Sequence, residues 1–292
     1  MPVRRTARTY CRDIAFAPER EDPGNAQFVF GRIPRLVGGL TARATERAVA
    51  FYRSFTASVT AVSSPEVAEA AKLLENTFRA VNIALVNEMK MVLTRMDIDI
   101  NEVVDAAATK PFGFMPFRPG PGAGGHCIPV DPLYLAWRAE QMGIPARFIR
   151  LAGSVNRLTP RWVALRTADA LRERGIPIKG AKVLVLGIAY KRDIPDLRET
   201  PAIPIIRTLR KLGAKVRWAD PVVTGRGNAP RRGPLALGCV ELSDEELALA
   251  DCVLVVTDHS SLDKQRIYER ARLIVDTRGF YRTDPDGKVV TA

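Results

Sequence analysis

The sequence predicts an α/β protein: the end of one α/β domain, a helical middle built on one long helix, and a C-terminal parallel sheet with helices on both faces. Three observations predict it. Apolar residues recur at 67, 71, 74, 78, 81, 85, 89, 92 and 96, eight steps over 29 residues, which is the helical period. From Gly180 onward, short buried strands alternate with helices, a series that implies parallel pairing. Between these regions lies a glycine- and proline-rich stretch, 117–132, that presents Cys127. These features divide the chain into segments 1–60, 61–158 and 159–292.

The elements follow in order. RDIAFAPER opens as a strand and stops at Pro18, and RIPRLVGGL reads as a second, ended by Gly38 and Gly39. Residues 43–54 have helical spacing, and SVTAV is a third strand. That is too little for a self-contained α/β domain, so the chain is expected to begin where such a domain is ending. Ser63 and Glu66 form a capping box for the long helix, with Pro65 in its first turn. A short helix covers 99–110. The glycine loop follows, and LYLAWRAEQMG is then a helix ended by Gly143. FIRLAGSVNR is helical, and Thr159-Pro160 reads as the cap and first residue of a separate helix running to Gly175. KVLVLG, KVRWADP, CVLVVT and RLIVD are the sheet strands. PAIPIIRTLRKLG, a helix capped by Ser243 and Glu246, and 260–270 are the helices between them. TGRGNAPRRGP, 224–234, reads as a polar, mobile loop.

At 292 residues the chain has room for about two domains. Charged residues make up 26% of it, and no apolar run approaches the roughly 18 to 20 residues that span a bilayer, so no membrane segment is expected. The N-terminus is basic but has no apolar core of a secretory signal. Four cysteines, Cys11, Cys127, Cys239 and Cys252, form no C-x-x-C pair, and there are only two histidines, so neither a metal site nor a disulfide framework is expected. A cytoplasmic protein fits best. The net charge of +12 is spread along the whole chain and accompanies no nucleic-acid motif, which argues against a nucleic-acid partner. The excess of arginine over lysine suits recognition of phosphate groups.

The loop is the main candidate for chemistry. Gly122, Gly124 and Gly125 let a backbone approach a ligand, while Pro119, Pro121, Pro129 and Pro132 stiffen it. A thiol at Cys127 with Asp131 four residues on suits a nucleophile beside a carboxylate; a tight turn around a buried cysteine is the plainer alternative. Lys72, Asn76 and Arg79 share one helix face and suit a developing negative charge, or else a solvated face.

The stretch GPGAGGHCIPVDP closely resembles the active-site loop of the UDP-glucose/GDP-mannose dehydrogenase family. Its GGHC-x-PVDP form is most similar to the branch acting on UDP-N-acetylhexosamines; members using UDP-glucose or GDP-mannose more often carry a GGSC-type or GGYC-type loop ending in Lys-Asp. KLLENTFRAVNIALVNE resembles the family's K-x-x-E-N-x-x-R-x-x-N-I-A-x-x-N-E helix, and LGIAYKRDIPDLRETPA resembles its G-x-A-Y/F-K motif. DTRG, 276–279, resembles its closing D-x-R, and the PER segment resembles the end of its N-terminal Rossmann domain. The resemblance runs from about residue 11 to the C-terminus.

It implies Cys127 as nucleophile with Asp131 beside it, Lys72 and Asn76 near the thiol, and Glu19 in the water and proton steps. It implies contacts to the nucleotide sugar from Tyr190, Lys191, Arg278 and the loop glycines Gly124 and Gly125, and to the cofactor side from Arg198. On residues alone, Glu19 reads as a strand-end surface carboxylate, and the others as ordinary ion pairs. The activity implied is NAD-dependent double oxidation of a UDP-N-acetylhexosamine such as UDP-GlcNAc to its uronic acid, through a thiohemiacetal and a thioester on Cys127. UDP-glucose is the alternative substrate. An inactive chain that binds nucleotide sugar or dimerises is the other alternative. The family's N-terminal Rossmann fingerprint is not present, so the NAD site is expected to be incomplete. A homodimer through the long helix is expected.

Overall fold

The computed structural model describes residues 13–25, 27–224, 233 and 235–292. The basic N-terminal stretch with Cys11, and most of the loop expected over 224–234, lie outside these. The chain forms two compact units, Met1–Phe78 and Arg79–Ala292, with the division inside the long helix.

In the first unit, β1 (Ala15–Phe16) pairs antiparallel with β2 (Arg35–Gly39), which pairs in parallel with β3 (Val59–Ala61). The crossover between the parallel strands is α1 (Ala42–Arg53), capped by the Thr41 hydroxyl accepting from the Ala44 N–H. The two glycines ending β2 are fixed by crowding. A Cβ on Gly38 would lie 2.1 Å from the Ser64 carbonyl, and one on Gly39 2.4 Å from the Thr45 nitrogen. Close passage of the strand over two helix starts therefore requires them.

The long helix is α2 (Pro65–Arg95). Its cap falls one residue later than the sequence predicts. Ser64 is the cap, its hydroxyl accepting from the Val67 N–H and its carbonyl from the Ala68 N–H. Pro65 has no N–H to contribute and opens the first turn at no hydrogen-bond cost. The apolar stripe that signals the helix faces outward: Leu74 is 68% exposed, Leu85 56% and Met96 60%. Beyond Pro65, the buried positions are instead Ala68, Asn76, Ala80, Ala84, Asn87, Lys90 and Leu93.

In the second unit, α3 (Ile100–Ala108) is capped by Asp99, and the glycine loop leads into α4 (Cys127–Gln141). That helix starts six residues before the predicted one, at the cysteine itself. Pro129 falls in its first turn, where a missing N–H is harmless, and Pro132 lies just beyond. The two helices expected on either side of Thr159-Pro160 are one, α5 (Arg147–Glu173). Pro160 gives up the hydrogen bond to the Asn156 carbonyl. The chain accommodates that loss by packing Gly122 of the loop there: a Cβ on Gly122 would lie 3.2 Å from Pro160 Cγ and 3.3 Å from the Asn156 oxygen.

The sheet contains β4 (Lys182–Leu186), β5 (Lys215–Ala219), β6 (Cys252–Val255), β7 (Ile274–Asp276) and β8 (Val289–Thr291), in spatial order β5-β4-β6-β7-β8, all parallel. Strand β8 has no counterpart in the sequence reading. Alternation along the strands serves two cores. Val183, Val185, Cys252 and Leu254 pack with α5 and α6 (Ala202–Lys211), while Leu184, Leu186, Val253 and Val255 pack with α8 (Asp244–Leu249) and α9 (Lys264–Arg270). The intervening helix α7 (Pro221–Thr224) is a single turn after β5. Each fully buried aliphatic side chain contributes roughly 1.5 to 3 kcal/mol, so doubly covered strands hold the platform under the loop. Among the described residues, no helix is long and apolar enough to cross a membrane.

Candidate active site

The second unit brings the glycine loop onto the carboxyl ends of β4 and β7. Gly124 and Gly125 lie against Tyr190, which follows β4. A Cβ on Gly124 would be 2.7 Å from Tyr190 Cβ, and one on Gly125 would be 2.9 Å from its ring. Gly125 also has φ +85°, a conformation glycine adopts without strain. Its N–H donates to the Arg198 carbonyl at 3.1 Å. Two residues on, the chain enters α4 and Cys127 is its first residue, with an exposed thiol. The alternative of a buried cysteine in a tight turn does not hold. Asp131, half-buried, lies four residues along the same helix and so on the same face. Unpaired N–H groups at a helix start favour negative charge there.

Arg198 is exposed and held by Asp196 through Nε (2.9 Å) and Nη2 (2.6 Å). The Asp196 hydrogen bond and charge raise its pKa, with smaller contributions from Tyr190 and Cys127. The same hydrogen bond holds the Asp196 carboxyl below its ordinary value, with His126 adding to the effect. The cation therefore lies in the electrostatic neighbourhood of the thiol. Lys191 follows Tyr190 and is half-buried.

Arg278 follows β7 and reaches the beginning of the loop. Its Nε donates to the Val256 carbonyl at 2.9 Å, and its Nη1 lies 2.7 Å from the position of a Cβ on Gly120. Burial lowers its pKa, opposed by Asp258 and Asp276. Asp276 accepts from the Arg278 and Tyr281 N–H groups, yet burial still pushes its carboxyl up.

Gly120 is gripped from α2 by two residues the sequence reading did not single out. Asn87 Oδ1 accepts from its N–H at 2.9 Å, and Lys90 Nζ donates to its carbonyl at 2.9 Å. Spacing puts them on the helix face of Asn76, since Asn87 is eleven residues, close to three turns, beyond it and Lys90 one turn further, but spacing does not reveal their burial.

The remaining predicted residues belong to the first unit. Lys72 and Asn76 stand one turn apart on α2, the lysine half-buried and the asparagine buried. Glu19 is ion-paired with the buried Arg35 at 2.8 Å and accepts from the N–H groups of Arg20 and Glu21. Burial raises its pKa, but the Arg35 hydrogen bond and the two backbone donors outweigh this and lower it.

The residues after β4 do not fit a dinucleotide. In a phosphate-binding turn the free N–H groups after the strand cradle the pyrophosphate. Here the N–H groups of Ile188 and Ala189 both donate to Asp220 Oδ2, at 2.7 and 3.0 Å. His259 Nδ1 accepts from the Asp193 N–H at 2.9 Å, so Nε2 is left to donate to the same Asp220 oxygen at 3.0 Å. A buried protein carboxylate thus takes up the amides that would cradle a phosphate.

Two models of one family match the chain: the central domain of the UDP-glucose/GDP-mannose dehydrogenase family over residues 66–158, and its UDP binding domain over 184–283. The chain belongs to the UDP-glucose/GDP-mannose dehydrogenase family. Among relatives in this family, a UDP-N-acetyl-D-glucosamine 6-dehydrogenase of Pseudomonas aeruginosa is 40% identical over 210 residues, 72% of this chain and 49% of that protein. One of the same name from Salmonella typhi is 34% identical over 281 residues, covering 95% and 63%. The solved UDP-D-ManNAc dehydrogenase of Pyrococcus horikoshii superposes with a TM-score of 0.82 at 30% identity, over 96% of this chain and 64% of that one. The chain thus spans less than two thirds of the length of these dehydrogenases.

Proposed function

We propose that the chain acts in the NAD-dependent 6-dehydrogenation of a UDP-N-acetylhexosamine, holding the nucleotide sugar and supplying Cys127 as the nucleophile. The observation that carries this reading is the packing of Gly124 and Gly125 on Tyr190, directly before an exposed thiol at the start of α4. In the family reaction the primary alcohol of the sugar is oxidised by way of an aldehyde. The Cys127 sulfur would add to the aldehyde carbon: an S–C bond forms, the carbonyl π pair moves to oxygen, and the thiol proton ends on that oxygen. Lys72 and Asn76 are assigned to stabilising the charge on it, Asp131 and Glu19 to proton handling, and Tyr190, Lys191, Arg278 and the loop glycines to the nucleotide sugar. Arg198 is assigned to the cofactor side. No hydride step is assigned to the C-terminal sheet, because Asp220 fills the turn after β4.

We propose that segments 1–60, 61–158 and 159–292 are part of an NAD-binding domain, the helical domain and the UDP-binding domain. The reading places the protein in the cytoplasm as a homodimer through α2, whose exposed apolar stripe needs a partner surface. The preference for N-acetylhexosamines rests on the GGHC-x-PVDP loop and on the names of the relatives. Calorimetric titration of UDP-GlcNAc and UDP-glucose tests it. Tighter binding of UDP-GlcNAc is expected, and a clear preference for UDP-glucose would move the protein to the other branch.

A further inference from the structure

Lys90 is 1% exposed, and charged residues are almost never buried so completely unless paired. Among its described contacts, its nitrogen donates to the Gly120 carbonyl at 2.9 Å and to an oxygen of Ala292, the last residue of the 292-residue chain, at 2.8 Å, and stands 5.1 Å from the centre of the Trp162 ring. Asn87, one turn earlier on α2, accepts from the N–H of the same Gly120. Both backbone polar groups of Gly120 are therefore held by buried side chains of one helix. On its other side Gly120 meets Arg278, whose Nη1 takes the space a side chain would need. Gly120 is the spacer between a buried lysine and an arginine.

We propose that Lys90 is a positioning residue for the anionic part of the substrate: it fixes Gly120, and through it Arg278. The hold on Gly120 stands on the hydrogen bonds alone; that Arg278 meets the anionic part of the substrate rests on the proposed function.

The test uses the 292-residue chain and UDP as the probe, by calorimetry near pH 7. Lys90→Met is expected to bind roughly tenfold more weakly than the parent, the scale of losing a hydrogen bond from a charged group. Lys90→Gln, which keeps a donor, is expected to recover affinity. Hydrogen exchange over 118–126 reads the positioning role separately, and should rise in Lys90→Met at a retained fold. A folded Lys90→Met with parental affinity overturns the role toward the substrate, and unchanged exchange overturns the hold on the loop. If the parent does not bind UDP at all, the proposed function fails, while exchange still decides whether Lys90 holds the loop.

Discussion

The ring of Tyr190 occupies the space that Gly125 leaves open: a Cβ on Gly125 would stand 2.9 Å from Tyr190 Cε2 and 3.1 Å from Cζ. The strand-end motif and the thiol loop, far apart in sequence, meet through a missing side chain. Gly125→Ala should therefore do two kinds of harm. It places a Cβ at φ +85°, which costs on the order of 1 to 3 kcal/mol, and it displaces the tyrosine. Gly143→Ala is the control, since its φ is +74° but nothing lies within 4 Å of its Cβ. Urea unfolding of both should show the larger loss for Gly125→Ala, and nucleotide-sugar binding should weaken in that variant alone.

A second prediction separates the cysteines. Cys127 and Cys239 are exposed, whereas Cys252 is buried in β6 and burial pushes its thiol up to about 12. The thiolate is the reactive form, so alkylation with iodoacetamide at pH 7.5 (roughly one unit below an ordinary thiol) should spare Cys252. Saturating UDP-GlcNAc should protect Cys127 and leave Cys239 unchanged. Peptide mass spectrometry reads all three sites. Equal labelling of Cys127 with and without ligand would remove it from the binding site.

The fold was largely legible from periodicity. The parallel series after Gly180 is present as read, since strand alternation and helix spacing are local properties of sequence. The errors fall on prolines. The sequence places Pro129 and Pro132 in the glycine loop and Pro160 at a helix start, yet α4 and α5 run through them. Each loses at most one hydrogen bond, and tertiary packing such as Gly122 on Pro160 makes the loss tolerable. Buried clamps such as Lys90 on Gly120 could not be read, because a lysine on a helix is ordinarily solvated and its burial is a property of the assembled unit.

The stripe on α2 gives a third prediction. Leu74, Leu85 and Met96 repeat at helical spacing yet face outward. Leu85→Glu puts a charge in the middle of the proposed contact at little cost to the separate chain. Light scattering should report a dimer for the parent and a monomer for Leu85→Glu. A parent that is monomeric at high concentration would end the dimer proposal.

Lys90 makes a fourth prediction, about stability against pH. Its pKa is about 7 in the folded chain against 10.5 ordinarily. Between those values the unfolded chain binds more protons than the folded one, so this group makes stability rise with pH across that window. Below about pH 7 the cost of the buried cation is fully present. Denaturant unfolding of the parent and Lys90→Met from pH 6.5 to 9.5 isolates the effect. The parent should gain stability relative to the variant as pH rises, and a constant difference would contradict the depressed pKa.

The last prediction concerns the oxidant. Hydride transfer needs a nicotinamide held within roughly 3 to 3.5 Å of the reacting carbon, which requires a fixed pyrophosphate. The turn after β4 is where a sheet of this kind would provide that site. Its amides are spent on Asp220, whose Oδ1 also accepts from the Val222 and Val223 N–H groups at 3.0 and 2.9 Å. Burial raises the Asp220 pKa, but the His259 hydrogen bond and charge and the backbone donors lower it overall. The carboxylate thus remains charged and would repel a phosphate. Arg198 is exposed, and its guanidinium is already engaged by Asp196, so it is not expected to orient a dinucleotide alone. The purified 292-residue chain, given NAD with UDP-GlcNAc or UDP-glucose, should produce no sustained NADH signal, although it binds nucleotide sugar. Sustained NADH formation that disappears in Cys127→Ala would show that these residues hold the cofactor after all.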